Sequence, residues 1–187
     1  MSTENHFKNH FLIAMPTLED PNFSQTITYI CEHSAEGAMG IVVNRPSDLT
    51  VAQVFNHLEI PMIDDRFTQQ MVLHGGPVQV ERGFVLHRDS GNWDSTVEIQ
   101  DGIYLSTSKE ILAAMAQGHG PEKALIALGY AGWGAGQLDD EMANNAWLSV
   151  PASDSILFDV PYEQRWHAAA KLLGVDISLL STQAGHA

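Results

Sequence analysis

Short apolar runs rich in β-branched and aromatic residues alternate with turn residues through the first two thirds of the chain. Such runs, bounded by glycine, proline and polar residues, predict β-strands. The predicted strands lie at residues 11–16, 26–33, 37–46, 71–78, 82–88, 146–151 and 155–161. Residues 95–106 predict a hairpin that turns at Asp101-Gly102. The run at 123–133 fits a buried strand or a helix, and we predict a strand because it is short and contains Gly129 and Gly132.

Three segments repeat apolar residues with the period of an amphipathic helix. They lie at residues 50–60, 107–118 and 161–174. Two of them begin with a capping box, formed by Thr50 with Gln53 and by Thr107 with Glu110. The third helix is predicted to start at Pro161 and to end at Gly174. Its predicted apolar stripe comprises Tyr162, Trp166, Ala170 and Leu173. Residues 137–145 predict one or two further helical turns, with acids near their N-terminus.

These elements do not alternate regularly between strand and helix. Strands dominate and helices are interspersed, which favours an α+β fold with a mixed, strongly curved sheet over a doubly wound parallel sheet. The chain has 187 residues and no linker, repeat or low-complexity segment, so it predicts a single domain over residues 1–187. The polar tail from about Ser181 is expected to fray.

Composition narrows the classes of partner. Nine basic residues against 23 acidic residues give a formal net charge of −14, which makes nucleic acid an unlikely partner and favours a basic protein partner or cations. Cys31 is the only cysteine, so an intramolecular disulfide is impossible. The N-terminus does not resemble a signal peptide, and no apolar run reaches the 18 residues of a membrane span. We therefore expect a cytoplasmic location.

Four collinear motifs carry a family resemblance. They lie at residues 12–46, 73–87, 128–148 and 167–176, and two of them read "LHGGPVQVERGFVLH" and "LGYAGWGAGQLDDEMANNAWL". Together they closely resemble the YqgE/AlgH family of bacterial proteins. The resemblance implies a compact α+β domain whose split, bent sheet forms a pseudo-barrel with about three helices packed outside. It also implies a cytosolic bacterial protein whose biochemical activity is not established.

Part of that family is named for an association with alginate regulation in pseudomonads. The sequence has no recognisable helix-turn-helix, and its charge is strongly acidic. The resemblance therefore does not imply a DNA-binding transcription factor.

The glycine-rich stretch at residues 128–141 fits neither phosphate-binding motif. Gly132, Gly134 and Gly136 run G-x-G-x-G rather than G-x-G-x-x-G, and no Lys follows as a Walker loop requires. The glycines then indicate turns and close packing of Trp133 and Tyr130 against the main chain. The alternative is that Trp133 lines a groove in which Gln137 offers an amide to a ligand or partner.

Asn44 and Arg45 follow a buried strand, and a charged residue there can lie at the mouth of a cleft. Arg45 could hold a carboxylate or phosphate through its planar fork of donors. The alternative is an internal salt bridge, for which the candidate acids are Glu32, Glu36 and Asp48. Arg82 could pair with Glu81 or face the same cleft as Arg45.

Cys31 and His33 share one face of a predicted strand. A thiol and an imidazole can form a nucleophilic pair, but their Cβ atoms would be about 7 Å apart, which favours an inert core cysteine.

Three further groups have a structural and a functional interpretation. His33, His74 and His87 could bind a metal but more simply bond to loops at strand ends, so we predict no metal and no cofactor. The Gly75–Pro77 segment could bind an anion through its amides, but a plain turn explains it. Asp139, Asp140 and Glu141 could hold a cation, but an acidic first helical turn explains them too.

Two hypotheses of function follow from the residues, and direct transcriptional regulation is a third alternative that only the naming of the family supports. The first is a non-enzymatic interaction or regulatory protein with a protein partner, because the chain has no complete catalytic or cofactor motif. The second is a small-molecule-binding protein or enzyme in which polar residues at strand ends converge on a pocket around Trp133. Those residues are Glu32, His33, Asn44, Arg45, His74, Arg82 and Gln137.

Overall fold

The computed structural model describes residues 7–15, 20, 23, 25–65, 67, 69–88 and 93–174. The strands are β1 (His10–Ala14), β2 (Ile27–Ser34), β3 (Gly37–Val42), β4 (Pro46–Thr50), β5 (Met71–His74), β6 (Val78–Arg88), β7 (Thr96–Gln100), β8 (Ile103–Ser106), β9 (Ala124–Gly134) and β10 (Trp147–Pro151). The helices are α1 (Val51–His57), α2 (Lys109–Ala116), α3 (Gln137–Ala143), α4 (Asp154–Phe158) and α5 (Arg165–Leu172), and a 3₁₀ turn (Tyr162–Gln164) precedes α5. Among these residues no helix is long and apolar enough to cross a membrane.

Eight strands follow one another in a curled sheet, in the order β10-β1-β2-β3-β9-β6-β8-β7. The pair β4–β5 joins this path at β9, and β5 with β9 is the parallel pair in an otherwise antiparallel sheet. Irregularities in register between Ile30 and Glu32 and between Val78 and Gly83 bend the strands. The result is an open half-barrel with helices outside, which confirms the predicted α+β fold with a mixed, strongly bent sheet.

Side chains of successive residues on β6 enter two different cores, as the two-residue period of a strand requires. Phe84 and Leu86 join the core that α4 and α5 cover. Val85 points to the opposite face and joins the core beneath α1 and α2. A third cluster, around Trp133 and Trp147, lies beneath α3. Each helix therefore covers an apolar face of the sheet, and α1 with α2 and α4 with α5 also contact each other.

Glycines from two of the sequence motifs meet where the loop after β5 crosses β9. The Gly75 amide donates to the Leu128 carbonyl (2.8 Å). A Cβ on Gly76 would lie 2.1 Å from the carbonyl carbon of Tyr130. Gly129 has a φ of +79°, and a Cβ there would lie 2.5 Å from the Gly76 oxygen. The two backbones touch because neither carries a side chain here. The sequence predicted close packing at the glycines of residues 128–141, but as packing of Trp133 and Tyr130 against the main chain rather than as contact between two backbones.

Local signals predicted most of the helix ends. Helix α1 has the predicted capping box, in which Thr50 Oγ accepts from the Gln53 amide (3.2 Å) and Gln53 accepts from the Thr50 amide (2.8 Å). The predicted cap of α2 is wrong by one residue, because the Thr107 amide bonds to the Ser95 carbonyl and Ser108 takes the N-cap position. Gly118, with a φ of +83°, follows α2 as predicted.

The predicted strand at 155–161 is wrong, since residues Asp154–Phe158 form helix α4. The Ser153 hydroxyl accepts from the Ile156 amide and starts the helix, and the adjacent Ile156 and Leu157 are both buried, which a half-exposed strand would not allow. A short strand, Pro46–Thr50, was not predicted.

The last helix differs from the prediction in its start and at one end of its apolar face. Its first turn is the 3₁₀ turn. Of the predicted stripe, Ala170 is buried and Tyr162 and Trp166 pack against the same core, and α5 also buries Arg165 and Ala169. Leu173, placed in the predicted apolar stripe, is 38% exposed. With the short α3 and α4, the described part of the chain has five α-helices around the sheet rather than about three. The tail predicted to fray lies outside the described residues.

Candidate functional site

Trp133 and Gln137, two of the predicted site residues, are part of an internal network. The indole nitrogens of Trp133 and Trp147 donate to the same Glu141 oxygen, at 3.1 Å and 2.9 Å. The side chain of Gln137 accepts from the Gly134 amide (2.9 Å) and donates to Glu141 (2.8 Å). Glu141 is thus a hydrogen-bond acceptor that ties α3 to β9 and β10.

Asn44, Arg45 and His74 lie together where β3 ends and β5 ends. Asn44 Oδ1 accepts from the Ile27 amide (2.9 Å), and its Nδ2 donates to the Gln25 carbonyl (3.0 Å). The His74 amide donates to the Arg45 carbonyl (2.7 Å), while the His74 side chain is exposed. This group holds the chain where it leaves β3.

The Arg45 guanidinium is partly buried, and burial lowers its pKa while the nearby charge of Asp20 opposes that shift. Asp20 was not among the acids proposed for it. Trp133 pairs with Ala38 near the start of β3, whereas Arg45 follows the end of that strand. The structure therefore does not bring Arg45 beside Trp133.

His33 and Cys31 are both buried and occupied with packing. The Phe7 amide donates to His33 Nδ1 (3.2 Å), the Phe7 ring stacks on the imidazole, and Asp139 lies 3.8 Å from Nε2. Burial raises the pKa of the Cys31 thiol, with a smaller contribution from the charge of Glu32. The described residues contain no group of three or more side chains that could hold a metal ion.

His87 belongs to a buried polar chain that the sequence did not indicate. Its Nε2 lies 2.7 Å from Ser106 Oγ, which lies 2.6 Å from Thr96 Oγ1. The Tyr104 ring stacks on the imidazole and the Trp93 ring meets it edge-on. Both side chains are fully buried, and the Ser106 hydroxyl is bonded on both sides within this polar chain.

Glu32 and Arg82 line one hollow, which we call the polar depression. It has a volume of about 670 Å³ and is also lined by Glu36, Tyr130 and part of Trp133. The Arg82 guanidinium lies 5.3 Å from the centre of the Phe84 ring and donates to Gln79 (3.3 Å). Of the eight predicted site residues, the structure brings these three, Glu32, Arg82 and Trp133, to a common hollow.

A second hollow, which we call the helix–sheet cleft, lies between α1, α2 and strands β6 and β9. Its volume is about 730 Å³. Its apolar wall comprises Leu49, Val54, Leu58, Phe84, Val85, Leu112, Ile126 and Leu128. Its polar lining comprises Gln53, Asn56, His57, Glu81, Ser106, Thr107, Ser108 and Lys109. Phe84 and Thr107 also line the polar depression, so the two hollows adjoin.

None of the predicted site residues lines the helix–sheet cleft. In the sequence, the residues that could have indicated this cleft are on the amphipathic helices. Val54, Leu58 and Leu112 belong to their apolar faces but are only partly buried by the sheet. A pattern of apolar positions shows that a face is covered, but it does not show how completely.

Matches to known protein families run along almost the whole chain. The AlgH-like family model matches residues 11–178. A UPF0301 protein of Thioalkalivibrio sulfidiphilus is 56% identical over 187 residues, and the match covers all of both chains. A UPF0301 protein of Nitrosococcus oceani is 53% identical, again with all of both chains covered.

Two solved structures have a similar fold. The solution structure of the AlgH protein from Pseudomonas aeruginosa is 53% identical with a TM-score of 0.79, covering 97% of this chain and 96% of that one. A crystal structure of a Corynebacterium diphtheriae protein is 20% identical with a TM-score of 0.71, covering 97% and 99% of the two chains, and it shares the fold. By the extent of the family match and its half-identical relatives, the chain belongs to the AlgH-like family.

Proposed function

We propose that this chain is a non-enzymatic interaction or regulatory protein that acts by binding in the helix–sheet cleft. The observation that carries the proposal is the cleft itself, about 730 Å³ with a mainly apolar wall and polar residues from α1, β6 and the start of α2. Partly enclosed apolar hollows with a few polar groups are the usual form of binding sites in proteins.

The positions of the reactive side chains support binding without catalysis. The Cys31 thiol is buried and held in its protonated form, because burial raises its pKa. The imidazoles of His33 and His87 are buried within packing contacts, and the Ser106 hydroxyl is buried with them. Cys31, His33 and His87 therefore do not line the cleft, whose titratable side chains are His57, Glu81 and Lys109.

Ligand binding in the polar depression is a second candidate. Glu32, Glu36 and Arg82 place charges of both signs around one hollow, and Tyr130 adds an aromatic surface. Such a lining favours a small polar ligand rather than an apolar segment of a protein. This candidate corresponds to the hypothesis of a small-molecule site around Trp133, with Arg82 rather than Arg45 as the cationic group.

The test is native mass spectrometry on the protein captured gently from its own cells. The variant Leu49→Glu places a charge in the lining of the cleft, at a leucine that is 39% exposed. The matched control is Val97→Glu, which places the same charge on an apolar residue that is 60% exposed. Val97 lies on β7 and does not line the cleft. We expect an associated molecule on the wild type and on Val97→Glu that is lost from Leu49→Glu. Retention on Leu49→Glu, or no associated molecule on any of the three, would contradict the proposal.

A further inference from the structure

We infer that the polar depression binds a short peptide-like zwitterion. The ammonium group of this ligand binds at Glu32 and Glu36, its carboxylate binds at Arg82, and its apolar body lies between them. The inference rests on the second candidate of the proposed function, in which the polar depression is a ligand site. It adds the chemical class of the ligand and the place where each end binds.

The polar depression has exposed charges of both signs that do not pair with one another. Glu32 and Glu36 line it from the end of β2 and the turn that follows, and Arg82 lines it from β6. In the described part of the chain neither carboxylate accepts a hydrogen bond or forms an ion pair. Arg82 donates to the neutral side chain of Gln79 (3.3 Å). Each charge is therefore available to a ligand group of the opposite sign.

The sheet holds the two signs of charge on opposite sides of the depression. Glu32 lies opposite Met39, and Met39 lies opposite Gly132, so these residues share one face of the sheet. Arg82 is on β6, the strand beyond β9. Three strand spacings of about 4.8 Å place the backbones of Glu32 and Arg82 roughly 14 Å apart along the sheet. The Arg82 side chain does not cross this gap, because its guanidinium lies over Phe84 of its own strand.

This separation selects both the charge and the length of the ligand. A ligand with only positive charge would face Arg82, and one with only negative charge would face the two glutamates, so a zwitterion is the class that meets no like charge. At about 3.4 Å per residue, an extended tripeptide separates its charged ends by roughly 10 Å, which fits the gap once the Glu32 side chain reaches inward. The volume of about 670 Å³ lies within the range of roughly 300–1,000 Å³ for small-molecule sites.

Gly132 leaves the middle of the depression open, and this is an independent indication of a ligand. Its φ is not positive, and a Cβ there would meet only the Tyr130 ring, at an ordinary 3.5 Å. Neither backbone conformation nor crowding therefore requires glycine at this position, unlike Gly129 with its φ of +79°. The missing side chain leaves a gap beside Tyr130 and Met39, both of which line the depression. An apolar side chain of the ligand would fill that gap.

The test is calorimetric titration of the whole protein, at about 0.15 M salt, with the tripeptide Ala-Leu-Ala and two blocked forms of it. The N-acetyl form lacks the ammonium group, and the C-terminal amide lacks the carboxylate. We expect each blocked form to bind about fivefold more weakly than Ala-Leu-Ala, because each loses one solvent-exposed ion pair.

Charge variants assign each end of the peptide to its site. Arg82→Gln should weaken Ala-Leu-Ala about fivefold and leave the affinity of the amide unchanged. Glu32→Gln combined with Glu36→Gln should weaken Ala-Leu-Ala by a similar factor and leave the affinity of the acetylated form unchanged. A purely structural role of these side chains would change all three affinities alike.

A third variant fills the gap. Gly132→Val should abolish binding of all three peptides. Gly134→Val is the matched control on the same strand, since a Cβ there would meet only Gln137, at 3.8 Å, and Gly134 does not line the depression. Both variants should keep the urea midpoint of the wild type, which shows that any loss of binding is not a loss of folding.

Three results would overturn the inference. The first is no saturable binding of Ala-Leu-Ala, the second is equal affinity of the wild type for the free and blocked peptides, and the third is wild-type affinity in Gly132→Val. Binding in the helix–sheet cleft is judged separately, by whether Leu49→Glu loses the molecule that copurifies with the wild type. Failure of either proposal is therefore distinguishable from failure of the other.

Discussion

The contact between the loop after β5 and strand β9 predicts that Gly76→Ala severely destabilises the fold. A Cβ on Gly76 would lie 2.1 Å from the Tyr130 carbonyl carbon, 2.2 Å from its oxygen and 2.4 Å from the Ala131 nitrogen. All three are backbone atoms of the central strand. No side chain can rotate to relieve the overlap, so the main chain of the loop or of β9 must move.

The size of the effect follows from this geometry. Overpacking usually costs about 1–3 kcal/mol, and a φ of +155° is strained for alanine by roughly 1–3 kcal/mol more. We expect Gly76→Ala to lower the free energy of unfolding by about 4 kcal/mol, a large fraction of the roughly 5–15 kcal/mol that holds a domain folded.

Two glycines in the motif at 128–148, Gly132 and Gly136, separate the overlap from other causes. Gly136 has a φ of +74°, but a Cβ there would have no neighbouring atom within 4 Å, so Gly136→Ala carries backbone strain alone, at about 1 kcal/mol. Gly132 meets only the Tyr130 ring, at an ordinary 3.5 Å, so Gly132→Ala should change stability by about 0.5 kcal/mol or less.

Urea unfolding followed by tryptophan fluorescence measures the series. With a slope of about 2 kcal/mol per molar urea, Gly76→Ala should lower the midpoint by roughly 2 M, and Gly136→Ala by about 0.5 M. A loss below about 1 kcal/mol for Gly76→Ala, or an equal loss for all three variants, would refute the reasoning.

Three further predictions use the same unfolding assay or a labelling assay. Thr50→Ala should cost about 1 kcal/mol because Thr50 caps α1, whereas Ser108→Ala should cost nothing, since its hydroxyl makes no capping bond and has no partner among the described residues; equal losses would contradict this. Burial raises the pKa of the Cys31 thiol, so a disulfide reagent at about pH 8 should label it only after unfolding, and rapid labelling of the folded protein would contradict its inert role. Arg165→Met should cost about 2 kcal/mol, because the guanidinium donates to the carbonyls of Val43, which is buried, and of Val160, which is partly buried. Burial lowers the pKa of Arg165 to about 10, and the desolvation of its charge offsets part of the loss. No loss on that substitution would contradict the assigned bonds.

Signals that act over a few residues were predictable from the sequence. The capping box at Thr50, the stop at Gly118 and the choice of strand for residues 123–133 each depend on neighbours in the chain, and each is confirmed. The wrong prediction at residues 155–161 also depends on neighbours in the chain. Its short apolar run fitted a strand equally well, and the Ser153 cap decided for a helix.

Contacts made across the sheet were not predictable in this way. His87 and Ser106 meet diagonally, because β6 and β8 pair with Val85 opposite Ser106, and no spacing in the sequence encodes that register. Arg165 lies outside the predicted apolar stripe of its helix, but it is buried against the end of β3, 122 residues away in the chain. The ligand role proposed for the eight strand-end residues stays a prediction.

The sequence motifs that identify the family and the lining of the helix–sheet cleft are largely different residues. The motifs at 73–87 and 128–148 supply the Gly76–Gly129 contact and the bonds from Trp133 and Trp147 to Glu141, which build the sheet and its cover. The cleft is lined mostly by residues 49–58 and 106–112, which lie outside the four motifs. The motifs therefore identify the fold and say little about the cleft. The residues that decide what the cleft binds are those that line it, mostly at 49–58 and 106–112.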